Sequence, residues 1–133
     1  MSPLDNISFI GFPGEDWEDR ILKLPIARSA VIASLPHLSH SNDKMKTTDV
    51  TLATGFSFGG SSGSPVILNQ KSFPVGAHLI NPNYVPSKLI GIMSGHWNDA
   101  EKRDEHKGIS YYTRSTSLLS LIEEARKIIE DIV

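Results

Sequence analysis

Residues 59–66 form a glycine- and serine-rich segment that separates two apolar stretches of the chain: Gly59-Gly60-Ser61-Ser62-Gly63-Ser64-Pro65-Val66. Residues 50–53 before it and 65–68 after it contain mainly valine, leucine, isoleucine and other strand-forming side chains. Glycine supplies the backbone conformations that tight turns require. The segment is therefore predicted to be a loop between two β-strands.

Further short apolar stretches on both sides of this loop predict additional strands, at residues 7–12, 24–35, 74–80, 89–97 and 108–113. The stretch 89–97 contains Gly91 and Gly95, which predict a close approach by a neighbouring backbone. Six or seven short strands joined by glycine-rich turns favour a small antiparallel barrel.

The C-terminal segment has a different pattern, because its apolar residues recur at steps of three and four. They are Leu118, Leu121, Ile122, Ala125, Ile128, Ile129 and Ile132. This spacing predicts an amphipathic helix over 116–133, with Ser115, Thr116 or Ser117 available to cap its first turn. The predicted fold class is mostly β: one domain over 1–133, a six-stranded antiparallel barrel with a C-terminal α-helix.

Composition limits the classes of function. The chain has 133 residues, enough for one compact domain, with 39% hydrophobic and 21% charged residues. Its net charge of −2 provides no strong field for nucleic acid or an anionic membrane, and we expect neither as a partner. With no cysteine, disulfides and thiolate catalysis are excluded. Residues 1–14 lack the pattern of a signal peptide and no apolar run is long enough to span a membrane, which favours a cytoplasmic location.

The loop at 59–66 has two interpretations. A Gly/Ser cluster between strands is often only a flexible turn. Alternatively, successive amides beside glycines converge on a negative charge next to a serine oxygen, as acyl transfer requires. A phosphate-binding P-loop is disfavoured because no Gly-Lys-Ser/Thr follows, and the hydrolase elbow fails because its last glycine would be Ser64.

Residues 60–65 resemble the nucleophile motif of the trypsin/chymotrypsin-like serine proteases, Gly-x-Ser-Gly-Gly/Ser-Pro, at each of its fixed positions. The resemblance implies that Ser62 is the nucleophile and that the backbone amides of Gly60 and Ser62 form the oxyanion hole. Trypsin has an aspartate where this chain has Ser61, and the difference suggests that no new N-terminus activates the enzyme.

The rest of the chain resembles the second barrel of that family in the same order. Residues 89–95 look like the strand that lines the S1 pocket, residues 107–111 like the strand after it, and residues 9–13 and 24–29 like the first strands of the barrel. The family also has a C-terminal helix. The resemblance implies that this chain corresponds to the second half of a double-barrel protease.

The resemblance also implies a set of substrate-binding residues: Phe56, Ser57, Ser94, Gly95, His96 and Gly108. The pocket floor is expected near Phe56 and Ser57, and the glycine at 108 is expected to open the pocket wall. Because Phe56 carries no negative charge, a basic P1 side chain is disfavoured and a small or apolar one is the hypothesis. His96 follows the pocket segment directly and is expected either to contact the substrate or to lie at the rim.

A serine hydroxyl needs a base that takes its proton, and in this family the histidine and aspartate lie in the first barrel. We therefore expect the base to be absent from this chain, and its own histidines are not assigned to a triad. His37 and His40 lack a third ligand nearby, so neither a metal nor another cofactor is expected. His78 is expected to be a packing or surface residue, and His106, which lies in a charged segment, is expected to be a solvated loop residue.

The leading prediction is a serine endopeptidase domain that acts on a polypeptide substrate and requires a missing N-terminal barrel or a partner chain. The alternative is a non-catalytic interaction domain on a half-protease fold, which dimerises or binds a partner through its exposed face. A Ser-Lys dyad at Ser41-Asn42-Asp43-Lys44 ranks last, because its companion motifs are absent.

Overall fold

The computed structural model describes residues 1–12, 21–38, 49–72, 81–98 and 106–130. These contain six strands and one helix in the order β1 (Asn6–Gly11), β2 (Ile26–Ile32), β3 (Val50–Thr54), β4 (Pro65–Leu68), β5 (Lys88–Asn98), β6 (His106–Arg114) and α1 (Ser115–Glu130). The strand predicted over 24–35 is shorter than expected. The strand predicted over 74–80 and the last three residues of the predicted helix lie outside the described residues.

The six strands form one closed antiparallel barrel in the order β1-β2-β3-β6-β5-β4. Closure comes from the pairing of β1 with β4, in which Phe9 lies opposite Val66. The longest pairing joins β5 and β6, and its register shifts twice, between Met93 and Gly95 and between His96 and Asn98. The predicted fold class, a single antiparallel barrel followed by a helix, is confirmed.

Alternating residues of all six strands fill the barrel interior with apolar side chains. The buried cluster consists of Ile7, Phe9, Ala30, Ile32, Ala53, Val66, Leu68, Ile90, Met93 and Tyr112. Tyr112 is fully buried, and this burial raises the pKa of its phenol to about 12. The phenol is therefore neutral at physiological pH.

Gly91 confirms the prediction of a close backbone approach within β5. A Cβ atom on Gly91 would lie 2.2 Å from the Thr113 carbonyl oxygen and 2.6 Å from the Tyr112 ring. A backbone oxygen in a paired strand has little freedom to move away. Only a residue without a side chain therefore allows β5 and β6 to pack at this distance.

The helix is fixed to the barrel at its N-terminal end. Arg114, the last residue of β6, forms an ion pair with Asp49, and the hydroxyls of Thr116 and Ser117 also donate to that carboxylate. Burial alone would raise the pKa of Asp49, but the hydrogen bonds from Ser117 and Arg114 outweigh it and the pKa is lowered. Two of the predicted capping hydroxyls thus bind Asp49.

The rest of α1 is not covered by the barrel. Every residue from Leu119 to Glu130 is exposed, including Leu121, Ile122, Ile128 and Ile129, each of which is about three-fifths accessible. The predicted helix is confirmed over Ser115–Glu130. The described residues do not cover its apolar face. In the described part of the chain, no helix has the length and apolarity needed to cross a membrane.

We predict that Gly91→Ala destabilises the barrel strongly, because the new methyl group meets the Thr113 carbonyl. The expected loss is about 1–3 kcal/mol in the free energy of unfolding, measured by urea denaturation. Gly59→Ala is the matched control, since a Cβ there meets nothing within 4 Å, and we expect a change within about 0.5 kcal/mol. Equal losses in the two variants would contradict the close-approach assignment.

Candidate active site

The loop between β3 and β4 is held in place by hydrogen bonds of its own. The Ser61 amide donates to the Phe58 carbonyl at 2.9 Å, and the Phe58 amide donates to the Ser61 hydroxyl at 3.2 Å. The Ser64 amide donates to the Ser61 carbonyl at 3.1 Å. Ser61 and Ser64 are both buried. The loop is therefore a defined turn, and the interpretation of residues 59–66 as a merely flexible connection is disfavoured.

Two glycines give the loop its shape, because Gly60 and Gly63 have φ angles of 87° and 85°. This left-handed region is costly for residues that carry a Cβ atom. Ser62 lies between these glycines, and its side chain is exposed while its neighbour Ser61 is buried. The Ser62 hydroxyl is thus the accessible one of the two at the turn.

The amides of the loop fall into two groups. Those of Ser61, Gly63 and Ser64 donate to backbone carbonyls, whereas those of Gly59, Gly60 and Ser62 donate to no backbone acceptor within the described residues. The amides of Gly60 and Ser62 lie next to the exposed Ser62 hydroxyl, and amides in such a position are the donors that a developing oxyanion needs. Chemically, the loop has the components for nucleophilic attack with stabilisation of the resulting negative charge.

The loop is also joined to β5. The Gly63 amide donates to the Met93 carbonyl at 2.8 Å, and the Met93 amide donates to the Ser64 carbonyl at 2.9 Å. Gly11 at the end of β1 lies below the loop, where an added Cβ would be 1.9 Å from the Ser64 hydroxyl oxygen. The loop therefore rests on two strands of the barrel.

A polar cluster lies beside the loop, built from Ser57, His96, His106 and Ser110. Ser57 Oγ is 3.2 Å from His96 Nδ1 and 2.9 Å from Ser110 Oγ, and Ser110 also donates to the Gly55 carbonyl at 2.8 Å. The two imidazole rings stack with centroids 4.4 Å apart and an interplanar angle of 25°. The structure thus brings together two of the predicted pocket residues, Ser57 and His96.

The expectation that His106 is a solvated loop residue was wrong. It is the first residue of β6, half-buried, with the Gly108 amide 2.7 Å from Nδ1 and the Ser57 amide 3.2 Å from Nε2. Burial, followed by the neighbouring His96, lowers the pKa of His106. Both ring nitrogens face amide donors, so the doubly protonated ring is disfavoured and His106 is the neutral imidazole with a single ring proton at physiological pH.

Phe56 differs from the pocket floor expected at its position, because its side chain is 56% exposed and its ring lies 5.0 Å from that of His106. Arg28 of β2 reaches the same segment: its Nη1 donates to the Phe56 carbonyl at 3.4 Å, and its guanidinium carbon lies 4.2 Å from the Phe58 ring centroid. Both phenylalanine rings therefore lie beside the His106 imidazole, and the Arg28 guanidinium covers the Phe58 ring.

The remaining predicted pocket residues lie on β5 and β6. Ser94 is the extra residue at the first register shift, and its hydroxyl is 2.7 Å from the Thr113 hydroxyl. Gly95 lies against Tyr111, where a Cβ would meet the phenol oxygen at 2.6 Å. Gly108 has a φ of 73°, and an added Cβ would meet only Phe56, at 3.9 Å, which agrees with an open position in the wall.

Sequence patterns did not indicate His106, Ser110 and Arg28 as part of this region. A signal was present for two of them, because His106, Gly108 and Ser110 alternate along one strand and therefore point to one face. The pairing of His96 with Ser110 depends on the register of β5 against β6. The alternation of apolar and polar residues along a strand does not predict such irregular pairing.

No base contacts Ser62 among the described residues, since His96 and His106 bond to Ser57 and Ser110 instead. His37 is exposed, and His40, His78 and the Ser-Lys pair at 41–44 lie outside the described residues. Within the described ranges, no three side chains of the types His, Cys, Asp and Glu cluster as metal ligands. The expectation of a base from elsewhere stays a prediction.

Comparisons of the chain with models of protein families, with curated proteins and with solved structures gave no match. What defines this region is therefore its own geometry: an exposed serine hydroxyl on a barrel loop, beside the amides of Gly60 and Ser62, which have no backbone acceptor among the described residues.

Hydrogen exchange tests the division of the loop amides. We predict that the Gly63 amide exchanges at least about tenfold more slowly than those of Gly60 and Ser62, because only Gly63 is bonded within the barrel. The measurement is amide exchange by NMR, with intrinsic rates corrected for sequence. Equal protection at Gly60 and Gly63 would contradict the arrangement of free donors.

Proposed function

We propose that this chain is the nucleophile-bearing half of a chymotrypsin-like serine endopeptidase. Ser62 attacks the scissile carbonyl, and the amides of Gly60 and Ser62 stabilise the oxyanion. The observation that carries the proposal is that the two required donors, the amides of Gly60 and Ser62, have no backbone acceptor among the described residues and flank an exposed serine hydroxyl. The polar cluster supports it, because it joins two residues, Ser57 and His96, that the resemblance assigns to the substrate pocket.

The proposal requires a second structural unit that supplies the general base. The histidine and aspartate of the triad come from another barrel, upstream in the same protein or on a partner chain. The triad works as a unit, so the chain by itself is expected to hydrolyse peptides many orders of magnitude more slowly than a complete protease. The proposed oxyanion hole consists of backbone amides and does not require the base.

A fluorophosphonate labelling experiment tests this proposal on the chain itself, because the reagent forms a tetrahedral adduct whose oxygen requires the same donors. We expect slow labelling of Ser62, accelerated by added free imidazole, which supplies the missing base. Two amide donors make the folded chain about 100-fold faster than the urea-unfolded chain. Labelling is measured by intact mass and peptide mapping.

Ser62→Ala is the control for this experiment and should abolish the adduct without unfolding the barrel, because the side chain is exposed. Equal rates in folded and unfolded chain, with imidazole present in both, would overturn the oxyanion-hole assignment. Rapid stoichiometric labelling without imidazole would instead show that the chain contains its own base.

A second function, a non-catalytic interaction domain, is favoured by the open apolar face of α1. An exposed face of this length usually marks an association surface. If association is the function, the chain should self-associate or bind a partner chain through Leu121, Ile122 and Ile129, and Ser62 should be dispensable.

Sedimentation velocity tests this second proposal. We expect concentration-dependent dimers in the micromolar range, which Ile122→Glu shifts to monomer by placing a charge in the apolar face. Leu119→Glu is the matched control, because Leu119 is equally exposed but about 100° away around the helix from Leu118 and off the face. A clean monomer at all concentrations would count against self-association.

A further inference from the structure

Two backbone amides point at the ring nitrogens of His106. The Ser57 amide lies 3.2 Å from Nε2, and the Gly108 amide lies 2.7 Å from Nδ1. In either tautomer a neutral imidazole has one nitrogen that accepts a hydrogen bond, whereas an imidazolium carries a proton on both nitrogens and accepts none. Protonation of His106 therefore removes its last acceptor and turns a second ring N–H toward an amide N–H.

The same ring lies beside three consecutive residues of the segment 55–58, which precedes the Ser62 turn. Its centroid is 5.0 Å from that of Phe56 and 6.4 Å from that of Phe58. Ser57, between them, is 1% exposed, and its amide points at the ring. Movement of the ring away from the two amides would therefore uncover the buried Ser57 and separate this segment from β6.

The surroundings of His106 do not favour a positive charge. The titratable and charged groups that the described residues bring near the ring are His96 of β5, stacked at 4.4 Å, Arg28 of β2, beyond the Phe58 ring, and the adjacent Lys107 of β6. All three are basic, and within the described ranges no carboxylate pairs with His106. A protonated ring would therefore be half-buried without a counter-charge, which agrees with the lowered pKa of His106.

We propose that His106 is a pH-sensitive switch: the neutral ring holds the segment 55–58 against β6, and the protonated ring releases it. The inference goes beyond the proposed function and does not depend on it, because it concerns hydrogen bonds within the folded chain. No substrate or second unit is needed for the release.

The direction of the pH dependence follows from the proton affinities of the two states. In the held state, burial and then the neighbouring His96 lower the pKa of His106, whereas a ring released to water titrates near the ordinary value of about 6.5. As pH falls, the released state binds the proton first. The held state is thus fully stable above about pH 6.5 and loses stability below it, and the released population rises at most about tenfold per pH unit.

The release should be local, because the Ser62 turn has separate bonds to β5. The Gly63 amide donates to the Met93 carbonyl at 2.8 Å, and the Met93 amide donates to the Ser64 carbonyl at 2.9 Å. Backbone carbonyls do not titrate in this pH range, so these bonds do not change when a histidine gains a proton. The Gly63 amide is therefore an internal reference for the Ser57 amide.

Amide hydrogen exchange by NMR on the full chain tests the inference, with each rate corrected for the intrinsic pH dependence of exchange. Between about pH 6.5 and about pH 5 we expect the protection of the Ser57 amide to fall about tenfold. That of the Gly63 amide should change less than about twofold. Constant protection at Ser57 would overturn the inference, and so would an equal fall at both amides, which indicates general destabilisation by acid.

Three variants identify the histidine that titrates. His106→Gln supplies an amide oxygen that can accept from Ser57 without titrating, and it should make the protection of Ser57 independent of pH. His96→Gln and His37→Gln, the second at an exposed position, should retain the fall. A fall that persists in His106→Gln, or that disappears in His96→Gln, would overturn the assignment to His106. The wild-type comparison of Ser57 with Gly63 decides even if His106→Gln fails to fold.

Discussion

Two reciprocal hydrogen bonds between the loop and β5 fix the candidate site to the barrel. The Gly63 amide and the Ser64 carbonyl pair with the carbonyl and the amide of Met93, whose side chain lies in the core. The position of the loop is therefore set by β5, the strand that contains Met93. The amides of Gly60 and Ser62 have no backbone acceptor among the residues that the structure describes. The proposed oxyanion hole thus consists of amides that have no backbone acceptor in the described part of the barrel.

The same strand places the polar cluster. Met93 holds the loop, and three residues later His96 lies opposite Ser110 of β6. The register shift between these points inserts Ser94, which re-aims the residues beyond it. A buried Ser57–Ser110 pair would be costly without partners, and the Gly55 carbonyl and His96 supply them. The hydrogen bonds that satisfy the buried hydroxyls of Ser57 and Ser110 therefore also orient the His96 ring.

The helix, unlike the loop, is held to the described barrel mainly at its first residues. Asp49, Arg114 and the first helical hydroxyls fix its start, but its apolar face contributes little to the core of the described barrel. Isolated helices of this length have marginal stability in water, and most helices in proteins gain stability by burying one face. A helix with an open face is therefore consistent with a second unit that completes the fold, which both proposed functions require.

Local patterns in the sequence determined the strand-forming stretches, the glycine-rich turn around Ser62, the close approach at Gly91 and the helical periodicity after Ser115. These depend on interactions between near neighbours, or on the absence of a side chain, and can be read one segment at a time. Only the tertiary structure decided the closure of β1 on β4, the burial of His106 and its stacking on His96. These contacts join residues distant in the chain, and they depend on strand order and on irregular register, which alternation does not encode.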